Sequence, residues 1–146
     1  MIDVNNPLRK AYKTALTGIV FNSVAVPVYY SYLPDNITAE NYIVFGPVTN
    51  NSIGTLNSQD TASSMRVTAH TTGNRNNNGE AADYIGGEIL KRIYASSSFN
   101  IALPVGTALQ ITGTNLESDA TQNYGLSANK IYIDRILIFR HSILQK

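Results

Sequence analysis

Two stretches of this chain repeat their apolar residues at helical spacing, and most other apolar stretches alternate with polar neighbours. Leu8, Ala11, Tyr12, Ala15, Leu16 and Ile19 recur at the helical period, with Arg9, Lys10 and Lys13 on the opposite face. Pro7 suits a first helical turn, where a missing N–H costs nothing; Asn5 or Asn6 can cap it, and Gly18 marks a stop. The second stripe is Ala81, Ala82, Ile85, Ile89, Leu90 and Ile93, preceded by candidate caps at Asn76–Asn78. Glu80 and Asp83 in its first turn and Lys91 and Arg92 in its last match the helix dipole. Gly86 and Gly87 inside it each carry a propensity cost of about 0.8–1.0 kcal/mol, which points to close helix-on-sheet contact.

The alternating stretches predict strands at Val24–Tyr32, Tyr42–Val48, Met65–Thr72, Thr107–Thr112 and Asn129–Ile143. Pro27 and Pro47 lack a ladder donor and favour edge or bulged positions. In the last strand Ile131 and Ile133 share one phase and Ile136 and Ile138 the other, as a bulge across Asp134–Arg135 would produce. Asn50–Ser64 and Gly113–Ala128 are polar, contain glycine and are expected as loops. The order helix, three strands, helix, two strands predicts one α+β domain over residues 1–146. Its sheet is expected to be mainly antiparallel, of about four to five strands, with two helices packed on one face. Leu16, Val26, Val44, Val67, Ile85, Ile89, Ile133 and Ile138 form the expected core.

Composition narrows the function. Charged residues are only 14% of 146, the net charge is +1, and 41 residues are Asn, Thr or Ser. A near-neutral chain has no excess charge to hold nucleic acid or an anionic membrane. With no cysteine, disulfide staples, thiolate nucleophiles and Cys-based metal sites are excluded. The start, MIDVNNPLRK, lacks the pattern of a secretory signal, and no apolar run reaches the ~20 residues of a membrane span. A soluble chain made in a reducing compartment is expected.

The chemical inventory is equally short. His70 and His141 read as surface or packing residues, with no metal-ligand spacing around them. There is no nucleophile elbow, and no Walker or dinucleotide glycine pattern. Glu80, Asp83 and Glu88 fall on the second helix, where dipole compensation and a solvated face explain them. Asp134 beside Arg135 reads as a polar pair at an interface or at the bulge. The nine tyrosines, without a basic patch, suit core and interface packing better than base stacking. No catalytic, cofactor-binding or metal-binding residue is assigned, and a binding or structural role is expected.

The order of these pieces resembles the tail-completion or tail-terminator proteins of long-tailed bacteriophages. The pieces are the helix Pro7–Ile19, Val26–Tyr32 running into Leu33–Pro34, and the strand Tyr42–Gly46. They continue with the strand Arg66–Thr72, the helix Glu80–Ile93 and the long strand Ile131–Arg140. The resemblance rests on order, spacing and residue class rather than on an invariant motif. It implies a virion protein without catalytic residues whose copies form a ring, commonly a hexamer. That ring caps the tail tube and joins it to the head–tail connector. The long segments Asn50–Ser64 and Gly113–Ala128 depart from the family pattern and leave open another neck or connector ring.

Low charge and abundant neutral polar side chains suit surfaces that lose water on assembly, because neutral groups are cheaper to bury than ions. The two polar segments supply the expected partner-contact residues: Asn50, Asn51, Thr55 and Asn57 in the first, and Glu117, Asp119, Gln122 and Tyr124 in the second. Within them, Asn50–Thr61 and Glu117–Ser127 are expected to be mobile until docked on the tail tube or connector. Two rival readings are a small-ligand-binding α+β domain, marked by a deep apolar pocket between helices and sheet, and an enzyme working with carboxylates alone.

Overall fold

The computed structural model describes residues 3–52, 60–74, 79–94, 101, 103–104, 106–127 and 130–145. The chain runs α1 (Asn5–Leu16), β1 (Val20–Phe21), β2 (Val24–Ala25), β3 (Val28–Tyr30), β4 (Tyr42–Ser52), β5 (Asp60–Asn74), α2 (Glu80–Ile93), β6 (Leu109–Ser127) and β7 (Lys130–Gln145). β1 and β2 form a small hairpin, and the other strands form one sheet in the order β3-β4-β5-β7-β6. Its pairings are antiparallel except that β3 runs parallel to β4. The sheet is therefore mixed, not mainly antiparallel as expected. The parallel pairing requires the chain to return between Tyr30 and Tyr42 before it can pair again.

Both helices lie where the apolar stripes place them. α1 ends at Leu16, and Gly18 turns the chain at φ +97°. Its N-terminus is not capped by Asn5 or Asn6: the Asp3 carboxylate accepts from the Asn5 N–H at 2.9 Å. The N-cap of α2 is Gly79, left-handed at φ +77°, and the expected caps at Asn76–Asn78 lie outside the described residues. Gly86 confirms the close approach, since a Cβ there would overlap the side chain of Arg135, whereas one at Gly87 would meet nothing.

α1 packs over β3 and β4, α2 over β5 and β7, and the helices touch one another. The core between helices and sheet joins Leu8, Tyr12, Leu16, Ile85 and Ile89 to Ile43, Phe45, Val67, Leu137 and Phe139. Val44 and Ile138, both expected in the core, sit half-buried on the opposite, open face. Strand side chains alternate, and Ile43 and Phe45 take the helix side of β4.

Four stretches differ from expectation. Val24–Tyr32 is not one strand: Asn22 and Ser23, at φ +49° and +63°, turn β1 back into β2 before β3 begins. The long polar segments are largely strand. Asn50–Ser52 and Asp60–Ser64 extend β4 and β5, leaving 53–59 outside the described residues, and 113–127 belongs to β6. β7 has no bulge at Asp134–Arg135, because its register with β5 is continuous from Lys130 to Leu144. The irregularities lie on its other neighbour, where β6 shifts register between Ile111 and Gly113, Leu116 and Ser118, and Tyr124 and Leu126.

Candidate interaction surface

β6 is one outer edge of the sheet and contains four of the expected partner-contact residues. Glu117 stands at a register shift, where its carboxylate faces Arg140 at 3.8 Å and the Ser64 hydroxyl at 3.5 Å. Asp119 pairs in register with Leu137, and its carboxylate accepts two hydrogen bonds from Arg135. The guanidinium holds the Asp119 carboxyl below the usual carboxylate range, chiefly by hydrogen bonding. Gln122 is exposed opposite Asp134, and the Tyr124 backbone pairs with Tyr132. These four positions are thus a built strand, not a mobile loop tip. Asparagine, threonine and serine at 113–127 mimic a loop in sequence, but β7 supplies every ladder partner they need.

The remaining expected positions lie elsewhere on the sheet. Asn50 pairs with Ser63, whose hydroxyl donates to the Asn50 amide oxygen, and the Asn50 amide donates to Asn5 at 2.6 Å. Asn51 pairs with Ala62. Thr55 and Asn57 lie outside the described residues. Because β4 and β6 are separated by β5 and β7, the two groups do not form one patch. They occupy different parts of the sheet.

The open face carries a constellation that sequence spacing does not reveal. His70 Nδ1 lies 2.5 Å from Asp134 Oδ1 across the β5–β7 pair. The Tyr42 ring stacks on His70 with centroids 4.8 Å apart, and Tyr29 meets Tyr42 edge-on. Burial, then the charge of Asp134, raises the Tyr42 pKa. Asp134 and Arg135 are not the expected polar pair: alternation sends them to opposite faces, one to His70 and the other to Asp119. On the helix side, His141 is fully buried between Tyr12, whose hydroxyl meets Nε2, and the Thr114 hydroxyl, 2.9 Å from Nδ1. Burial pushes the His141 pKa down to about 4 and the Tyr12 pKa up. A neutral imidazole bonded at both nitrogens is a packing element of this core.

A groove of about 700 Å³ opens between α1 and the β3–β4 edge. Arg9, Lys10 and Lys13 line its helix side, with Tyr30, Phe45 and Leu103 opposite. Its lining sets three cations beside the apolar side chains Ala11, Tyr30, Phe45, Leu103 and Pro104. Among the described residues, no group of three or more His, Asp or Glu could hold a metal ion. No helix among them is long and apolar enough to cross a membrane.

The chain shares its fold with a virion component. A chain of the solved structure titled "Virion of native gene transfer agent (GTA) particle" superposes with a TM-score of 0.58. The match covers 80% of this chain and 78% of that one, at 15% sequence identity. At that identity the likeness establishes the fold. No family model matches the sequence, and no curated protein does.

Proposed function

We propose that this chain is a structural subunit of a phage-like virion, acting as a ring at the head–tail junction that caps the tail tube and joins it to the connector. The observation that carries the reading is the fold shared with a component of a gene transfer agent virion over most of both chains. The order of helices and strands in the sequence, which resembles tail-terminator proteins, supports the same reading. In this proposal the protein has no catalytic role, and its work is done by surfaces. Edge strand β6, with Glu117, Asp119 and Gln122, and the far end of β4, with Asn50 and Asn51, face the tail tube and connector. The register shifts along β6 and its acidic side chains discourage indiscriminate strand pairing. The edge can therefore meet a chosen partner without aggregating.

Cryo-electron microscopy of purified particles carrying this chain tests the proposal. The expected density is a closed ring of identical copies at the end of the tail tube nearest the head. Particles assembled without the chain should have overlong or headless tails. Scattered peripheral copies, or particles of normal form and infectivity without the chain, would refute the reading.

A further inference from the structure

We infer that the groove between α1 and the β3–β4 edge receives the segment 32–40 of a second copy of this chain. The inference rests on the self-association proposed above and names the contact that makes it. Among the described residues, Lys91, Arg92, Arg135 and Arg140 each face a carboxylate within 4 Å. None of the ion pairs among those residues involves Arg9, Lys10 or Lys13, the three cations that border the groove. Two of them are held in place: Lys13 Nζ donates to the Val28 carbonyl at 2.6 Å, and Arg9 lies over the Tyr30 ring, 5.5 Å from its centroid. Tyr30, Phe45 and Leu103 add apolar surface beside this charge. Such a site fits a segment that brings carboxylates and apolar side chains together.

Residues 32–40 form such a segment on an exposed part of the chain. Residues 32–40 include Asp35 and Glu40 and no lysine or arginine. Tyr32, 85% exposed, is the most exposed large hydrophobic side chain among the described residues, and Leu33 beside it is 44% exposed. Large apolar groups left together in water mark a contact surface. The segment is tied at both ends: the Ser31 N–H donates to the Phe45 carbonyl at 2.9 Å, and the Thr72 hydroxyl donates to the Glu40 carbonyl at 3.0 Å. Ser31, at φ +60°, turns the chain out of β3 between the groove residue Tyr30 and the exposed Tyr32. No residue of 32–40 lines the chain's own groove. Each copy offers both a groove and a segment; where these engage two different neighbours, the contact runs head to tail and closes into a ring when the rotation allows.

The absence of cysteine makes the contact directly testable. Chain bearing Lys10→Cys is mixed with chain bearing Tyr32→Cys and gently oxidised, alone and in assembled particles. A disulfide between the two variants can only be intermolecular. The expected product is that mixed dimer, in clear excess over the dimers each variant forms with itself. Lys10→Glu should weaken self-association about fivefold, and Asp35→Lys with Glu40→Lys in the same chain should recover most of it. No mixed disulfide where the unmodified chain is oligomeric, or at any concentration if it stays monomeric, overturns the inference. So does an equal yield of like-with-like dimers. A mixed disulfide from a chain absent from particles would keep the contact and remove the virion reading. A ring in particles without that disulfide would do the reverse.

Discussion

Arg135 grips Asp119 with two prongs, Nε to Oδ1 at 3.0 Å and Nη2 to Oδ2 at 2.8 Å. The pair fastens the outer strand β6 to its neighbour β7, while the Cδ and guanidinium of the arginine fill the space left by the missing side chain of Gly86. One arginine thus links the edge strand, the sheet interior and the second helix.

Asp119→Asn should lower stability by about 0.5–1 kcal/mol at neutral pH, the scale of a partly exposed ion pair with good geometry. The Asp119 pKa is lowered in the folded state. Its contribution is therefore complete above the ordinary carboxylate value of about 3.9 and fades as pH falls below it. Urea unfolding of both proteins at pH 7 and pH 3 should show the difference shrinking in acid.

Gly86→Ala and Gly87→Ala should diverge although the positions are adjacent. At Gly87 the new methyl meets nothing, and the gain in helix propensity should stabilise by up to about 1 kcal/mol. At Gly86 the methyl must displace an arginine that Asp119 holds, so the variant should melt below the unmodified protein. Equal melting temperatures for the two variants would contradict the packing of α2 on β7.

His141 makes stability depend on pH in a predictable direction. Its pKa falls from 6.5 to about 4 on burial, so between these values the unfolded chain binds the proton more readily. The full contribution is present above about pH 6.5. It declines by about 3 kcal/mol in all as pH falls to 4. His141→Gln should lose this slope whatever its own stability, and denaturant titrations across the window read it directly.

Ile89→Ala should cost about 2–5 kcal/mol, because Ile89 is completely enclosed between helix and sheet. Ile138→Ala, on the half-buried open face, should cost clearly less. Thermal unfolding of the two variants separates the covered face of the sheet from the open one.

Local chemistry settled much of this protein from its sequence alone. The apolar stripes of α1 and α2 and the turn at Gly18 depend on neighbours three or four residues away. They are legible wherever that spacing occurs. The phase of β5 is legible for the same reason, and Val67 faces the core as alternation requires. In β7 the apolar residues on both faces suggest a bulge that the continuous pairing with β5 rules out, so Leu137 takes the core position expected of Ile138. Phase alone did not decide which face of β4 the helices would cover, so Ile43 replaced Val44 in the core. Nor could composition show that 113–127 is a strand. A polar edge strand has little apolar pattern of its own and exists because β7 presents an unpaired ladder beside it. The parallel seat of β3, the His70–Asp134 pair and the Tyr12–His141 contact, 129 residues apart in sequence, depend on chain pairing over long separations. The same is true of the groove under α1. Its cations are adjacent in sequence, but Phe45 and Leu103 reach it only when the sheet and the later chain close around the first helix.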